Sequence, residues 1–150
     1  MTLENCTATN NHAGFNDMIN SSGEPEKPTK ESVHKEYDDA LKRQAEIDEK
    51  LKSDNLLDQL SLNQIAFEEY DMWDSLLNRI WSCIGEKLDE AKMEELRTEQ
   101  QKWIREKEAS MKEAASGFQG GSMQPMIEYG SGATITQKRV EELLQLLDQL

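Results

Sequence analysis

Residues 61–88 carry the strongest helical pattern in this 150-residue chain. Their apolar side chains recur at steps of three and four over about seven turns, which places them on one face of an α-helix. Because this stripe is wide enough to contact two neighbours, it predicts a bundle built around the segment, with Ser61 as N-cap. The stripe comprises Leu62, Ile65, Ala66, Tyr70, Trp73, Leu76, Leu77, Ile80, Trp81, Ile84 and Leu88.

Two further helical segments flank this one. The leading segment, residues 30–58, has a thin apolar stripe among good helix formers and a predicted break at Ser53-Asp54-Asn55. The following segment, about residues 90–115, has Asp89 as its predicted cap and stops at Ser116-Gly117. Its other face mixes acidic and basic residues and is predicted to face solvent.

A glycine-rich segment, 117–133, precedes the last predicted helix, which begins with Thr136 as its cap. A loop of this length inside a compact domain is either functional or mobile. We therefore predict an all-α fold of three core helices plus a leading N-terminal helix, with a long loop before the last one. The loop's candidate partner-binding residues are Gly120, Gly121, Ser122, Met126 and Tyr129.

Residues 1–29 are polar and show no apolar period, so they are predicted to be a disordered tail ahead of a helical domain, 30–150. The two cysteines, Cys6 and Cys83, have no paired spacing that would indicate a disulfide framework or a metal site. No segment approaches the roughly 18 apolar residues of a membrane span. The start lacks a signal peptide's apolar region, as in a cytoplasmic protein or one whose signal has been removed.

The chain is acidic, with a formal charge of −13 spread along its length. A nucleic-acid-binding protein gathers its basic residues on one face, whereas here they are interspersed with acids. The sequence therefore argues against nucleic acid as a partner. It indicates an acidic soluble surface or a preference for basic protein partners.

Polar side chains also follow the apolar stripe. Antiparallel packing would bring together polar lines from three helices and form an internal network. A buried polar group without a partner costs about 1–3 kcal/mol, so such a network is predicted to lock helix register, with a ligand or partner site and catalysis as alternatives. The candidate residues are Asp74, Asn78, Trp81, Gln100, Trp103 and Arg139.

The case for an enzyme is thin. No serine or cysteine has a histidine at a catalytic spacing, and no carboxylate has the apolar isolation that acid–base catalysis uses. Gly120-Gly121 lacks the lysine of a phosphate loop, and the Glu-x-x-His motif of bundle metal sites is missing. We predict a protein that is not an enzyme and uses neither metal nor cofactor.

Residues 62–145 contain six short motifs: Leu62-Asn63-Gln64-Ile65, Glu69-Tyr70, Asp74–Trp81, Leu96-x-x-x-Gln100-x-x-Trp103-Ile104-x-x-Lys107, Gly120-Gly121-Ser122 and Thr136-x-x-Arg139-x-x-x-Leu143. Their order and spacing resemble the LprI-type lysozyme-inhibitor N-terminal domain, a helical domain of bacterial secreted proteins and lipoproteins. Asp74–Trp81 is similar to the family's Asp-x-x-Leu-Asn-x-x-Tyr, with Trp81 in place of tyrosine, and Lys107 stands at the arginine position of the third-helix motif.

The chain departs from this family at its three characteristic cysteines. Ile65 and Met111 stand at two of the positions, and the region near Ser131 stands at the third. The resemblance therefore implies a domain without the covalent tie, in which the loop 117–133 is looser than in cysteine-bearing relatives.

The resemblance implies a non-enzymatic, extracytoplasmic interaction domain whose partner is a basic lysozyme-type muramidase. It also implies secretion or a lipoprotein anchor that this chain does not display, so any membrane contact would be through a lipid. The alternative is a structural envelope domain that self-associates or binds envelope partners through the leading helix, residues 30–58.

Overall fold

The computed structural model describes residues 26–150, and four α-helices account for most of them. They are α1 (Lys30–Ser53), α2 (Gln59–Lys87), α3 (Glu90–Ala115) and α4 (Gln124–Asp148), with a 3₁₀ turn at Ser116–Phe118. The all-α prediction is confirmed, and no strand occurs in the described range. Most of the predicted tail, residues 1–25 with Cys6, lies outside the described residues, so the tail stays a prediction.

The core lies between α2 and α4, which pack most extensively against each other. Helix α3 packs on α4, whereas α1 packs mainly on α2. The spacing of three and four residues seen in the sequence produces the apolar faces that meet here. The largest fully buried apolar side chains are Trp73, Ile80, Ile84, Leu143, Leu147, Val33 and Val140.

Polar contacts hold α1 on α2. The Arg79 guanidinium donates to the Glu36 carboxylate from both Nε (2.8 Å to Oε2) and Nη2 (2.6 Å to Oε1). Gln44 accepts from Trp73 Nε1 at 3.0 Å and donates to Glu69 at 3.2 Å. These polar contacts add to the apolar ones that α1 makes through its buried residues, Val33, Ala40 and Ile47.

The helices alternate in direction, so the 54–58 connection and the 116–123 turn lie at the same end of the bundle. Asn63 Nδ2 donates to the Ser122 carbonyl at 2.8 Å, and Gln59 Nε2 contacts Met126 Sδ at 3.6 Å. We call the end of the bundle that holds these two connections the turn end. None of the described helices is both long and apolar enough to cross a membrane.

The predictions of a loop over 117–133 and of Thr136 as the cap of the last helix were wrong, because α4 begins at Gln124 and contains Gly130 and Gly132. Pro125 suits the first helical turn, where its missing N–H costs no hydrogen bond. Gly132 lies where α4 approaches two other helices. A Cβ there would lie 2.7 Å from Met111 Cε and 2.8 Å from Tyr70 Cδ2. Close helix packing thus explains a glycine that local propensity alone assigns to a loop.

The predicted cap of α2 was also wrong by three residues. Asp58, not Ser61, is the N-cap, and its carboxylate accepts from the Ser61 backbone N–H at 2.8 Å. As predicted, Asp89 is the N-cap of α3, and α1 ends at Ser53.

We expect Asp58→Ala to lower the free energy of unfolding by about 1 kcal/mol, because it removes the capping oxygen. Ser61→Ala should change the free energy of unfolding by less than about 0.5 kcal/mol, because the backbone N–H of residue 61 still donates to Asp58. Urea unfolding of the two variants measures both values. A larger loss for Ser61→Ala would contradict the observed cap.

Candidate functional site

Two of the predicted polar residues meet between α3 and α4. Arg139 is 6% exposed and Gln100 is 2% exposed, and Arg139 Nε donates to Gln100 Oε1 at 2.8 Å. Arg139 Nη1 also donates to Glu99 at 3.1 Å and to Glu142 at 3.0 Å. The buried guanidinium is thus joined to one buried amide and two carboxylates that reach solvent.

A second buried polar group connects α2 to α3. Lys107 is 3% exposed, and its Nζ donates to the Tyr70 hydroxyl at 2.8 Å. Burial raises the pKa of that hydroxyl above its usual value; the Lys107 charge opposes the rise, and nearby Asp74 adds to it. Asp74 itself is 1% exposed. The structure therefore places Asp74, Tyr70 and Lys107 in one neighbourhood.

Trp103 lies between the two buried cations. Its ring centroid is 5.2 Å from Lys107 Nζ and 5.9 Å from Arg139 Cζ, within the range of cation–π attraction. Of the remaining predicted residues, Trp81 packs against the apolar core and Asn78 is half-buried on α2. We call Asp74, Gln100, Trp103, Lys107 and Arg139 the buried polar cluster.

Lys107 belongs to the polar line that the sequence predicts on α3, because it lies seven residues after Gln100 and four after Trp103. It is not among the residues predicted to form the lock. A lysine on the apolar stripe between Ile104 and Met111 was the available signal. Its burial depends on the Tyr70 hydroxyl, which comes from another helix and is invisible to local pattern.

The buried polar cluster opens on a surface groove of about 270 Å³ between α3 and α4. The groove's lining includes Trp103, Lys107, Ile135, Lys138, Arg139 and Glu142. Acidic and basic side chains both line this groove, so it has no single charge preference.

Two polar atoms near the groove, Thr136 Oγ1 and Arg139 Nη2, are buried without a hydrogen-bond partner in the described chain. Within residues 26–150, no group of three or more His, Cys, Asp or Glu side chains is arranged to hold a metal ion.

The predicted partner-binding residues divide between two environments. Gly120, Gly121 and Ser122 lie in the exposed turn, where Gly120 adopts a positive φ of 76° and donates its N–H to Gln124 at 2.9 Å. Met126 and Tyr129 instead belong to α4 and are half-buried. The Tyr129 ring packs edge-on against Phe67 at 5.2 Å and also contacts Tyr70 at 5.6 Å.

The turn end also exposes apolar side chains that the sequence pattern assigned no role. Leu56, which precedes α2, is 94% exposed, and Leu60, in the first turn of α2, is 77% exposed. Phe118 and Met123 are exposed in the turn on the other side of this end. In the sequence, only the position of Leu56, directly after the predicted break and before the α2 stripe, could have indicated that it is exposed.

Cys83 belongs neither to the buried polar cluster nor to the turn end. It is buried in the core, where burial raises the pKa of its thiol above the usual value. A raised pKa keeps the thiol protonated and weakly nucleophilic at neutral pH, which suits an inert core residue.

Comparison with known protein families finds a match to a family described as lysozyme inhibitor LprI, over residues 52–143. The matched range contains all of α2 and α3 and most of α4, but it excludes nearly all of α1. No curated protein and no solved structure matches the chain. The match therefore covers the buried polar cluster and both connections at the turn end.

Proposed function

Because the chain belongs to the lysozyme inhibitor LprI family, we propose that it acts as a non-enzymatic protein that binds and inhibits a lysozyme-type muramidase. The observation that carries this proposal is the family match across the three core helices, which includes every residue of the exposed turn. Since a muramidase acts on the cell wall, the proposal places the protein outside the cytoplasm. Secretion and a lipid anchor are both compatible with that location.

The geometry supports binding better than catalysis. The buried polar side chains contact one another and join helices, as the Arg139–Gln100 and Lys107–Tyr70 hydrogen bonds illustrate. Several exposed apolar side chains, by contrast, lie at the turn end, where a partner can reach them. The turn Ser116–Met123 projects there and is the proposed element that enters or covers the partner's cleft.

Charge would contribute mainly to the speed of association. The chain carries a formal charge of −13, and the proposed partner is basic. Long-range attraction raises the association rate more than it raises the final affinity, and salt screens it. A binding experiment that varies salt therefore tests both the partner and its mode of approach.

We expect the chain to bind a basic lysozyme and to slow its hydrolysis of cell walls. The association rate should fall at least about tenfold between about 0.01 M salt, where charges interact over about 30 Å, and about 0.15 M salt, where they interact over about 8 Å. Surface plasmon resonance measures the rates, and a turbidity assay with bacterial cell walls measures inhibition.

A small basic protein unrelated to lysozyme serves as the control in the same titration. Equal binding of the control would mean that only non-specific charge attraction operates. No binding of lysozyme at low salt would contradict the proposed function.

The alternative, a structural domain that self-associates through its leading helix, has less support. The buried residues of α1, Val33, Ala40 and Ile47, face the rest of the same chain. The Glu36–Arg79 pair also holds α1 in place. An α1 engaged in this way offers a second copy little apolar surface beyond the exposed Leu41 and Leu51.

A further inference from the structure

Besides Leu51 in the last turn of α1, four exposed apolar side chains lie at the turn end of the bundle. Leu56 and Leu60 come from the start of α2, and Phe118 and Met123 come from the turn between α3 and α4. The two segments touch through the Asn63–Ser122 hydrogen bond. Single exposed leucines are ordinary, but apolar side chains gathered at one end indicate a contact surface. We call these four residues the apolar end surface.

Local hydrogen bonds fix the backbone that presents the two leucines. The Leu56 N–H donates to Asp54 Oδ1 at 3.0 Å, and Asp58 caps α2 through the Ser61 N–H. Leu60 stands in the first turn of that capped helix. A surface whose backbone is already ordered loses little conformational entropy when a partner binds, so more of the contact energy appears as affinity.

The charge around this surface has one sign over long stretches of sequence. Residues 53–78 contain six acidic residues and no Lys, Arg or His, and residues 113–137 contain two acidic residues and again no cation. Cations do occur in the last turns of the neighbouring helices, but acids still outnumber them at this end. The acids are Glu49, Asp54, Asp58, Glu113 and Glu128, and the cations are Lys50, Lys52 and Lys112.

Asp54 and Asp58 flank Leu56 directly, so acidic groups border an apolar centre. The Asp58 carboxylate is charged at neutral pH, as an ordinary aspartate is, and hydrogen bonds from Ser61 lower its pKa further. A second copy of the chain would present the same acidic border and be repelled. A cationic partner would complement both the apolar centre and the acidic rim, the usual composition of a protein interface.

We propose that the apolar end surface is where this chain contacts a cationic protein, with Leu56 and Leu60 as the anchoring side chains. This inference rests on the proposed function, which makes that partner a basic muramidase. It places the contact on two connections of the bundle rather than on the glycine turn alone. The acidic border steers the partner in, and the leucines slow its release.

The test compares full-length variants that change polarity without changing charge. L56Q and L60Q should each weaken lysozyme binding about tenfold, mainly through a faster dissociation rate. Leu41→Gln, at an exposed leucine in the middle of α1, is the matched control and should leave binding unchanged. All three variants should keep the helical circular dichroism of the unchanged chain, since each leucine is exposed.

A charge variant tests the acidic border separately. Asp54→Asn with Asp58→Asn keeps a side-chain oxygen at each hydrogen-bonding position but removes two charges. We expect a slower association rate at low salt and little change in the dissociation rate.

Different outcomes overturn different parts of the proposal. Absence of any lysozyme binding by the unchanged chain would overturn the proposed function and this inference together. Binding that L56Q and L60Q leave unaltered would overturn only the location of the contact. A concentration-dependent dimer that L60Q converts to a monomer would overturn the cationic partner in favour of a second copy.

Discussion

Replacing Arg139 with methionine should lower the free energy of unfolding by about 2–4 kcal/mol. The change removes a buried guanidinium that links α4 to α3 and leaves Gln100 Oε1 without its 2.8 Å donor. An unsatisfied buried acceptor costs about 1–3 kcal/mol, and removing one partner from a buried charged network costs more. Glu99 and Glu142 can return to solvent, so they add little to the loss.

A double-mutant cycle in urea isolates the hydrogen bond. Arg139→Met combined with Gln100→Leu should cost about 1–3 kcal/mol less than the sum of the single changes, because the double variant leaves no orphaned amide. Lys138→Met, at the exposed neighbouring position, should change stability by less than about 0.5 kcal/mol.

The same variants separate the two explanations for the buried polar cluster. Lost stability with retained lysozyme binding by the folded fraction fits a network that fixes helix packing. Unchanged stability with lost binding would instead make the groove beside Arg139 a partner or ligand site.

Two alanine substitutions in α4 should have opposite effects. Gly132→Ala should lower the free energy of unfolding by about 1–2 kcal/mol, because its Cβ would meet Met111 and the Tyr70 ring at under 3 Å. Met111 can shift its flexible end, but Tyr70 is held by Lys107 and packs against Tyr129. The gain in helix propensity offsets only part of this clash.

Gly130→Ala is the matched control, since it lies in the same helix with nothing within 4 Å of the added methyl group. It should raise the free energy of unfolding by about 0.5–1 kcal/mol, the usual difference in helix propensity. Thermal unfolding followed by circular dichroism measures both variants. Stabilisation by both substitutions would contradict the close approach of α4 to α2 at Gly132.

The sequence predicted those parts of the fold that depend on local pattern. The apolar spacing of α2, the Asp89 cap and the break after Ser53 are properties of consecutive residues, and they agree with the structure. The start of α4 could not be predicted in this way. Gly130 and Gly132 weaken a helix locally, and the contact that favours glycine at 132 comes from Tyr70 and Met111 on other helices.

In the candidate site, too, local spacing predicts some features, and others depend on contacts between helices. Helical spacing placed Gln100 and Arg139 on facing lines, and the structure brings them within hydrogen-bonding distance. Spacing could not show that Lys107 would reach Tyr70. Nor could it show that Leu56 and Leu60 would stay in solvent, because an apolar residue at a helix start is buried or exposed according to what covers that end of the bundle.

Cys83 and Met111 both lie in the packed interior of the bundle. Cys83 is the one cysteine within the described chain, and its thiol is enclosed by the core. Met111 packs at Gly132, so non-covalent packing joins α3 to α4 there. Within residues 26–150 no disulfide joins the helices, so we expect a reducing agent to leave the free energy of unfolding of this bundle unchanged.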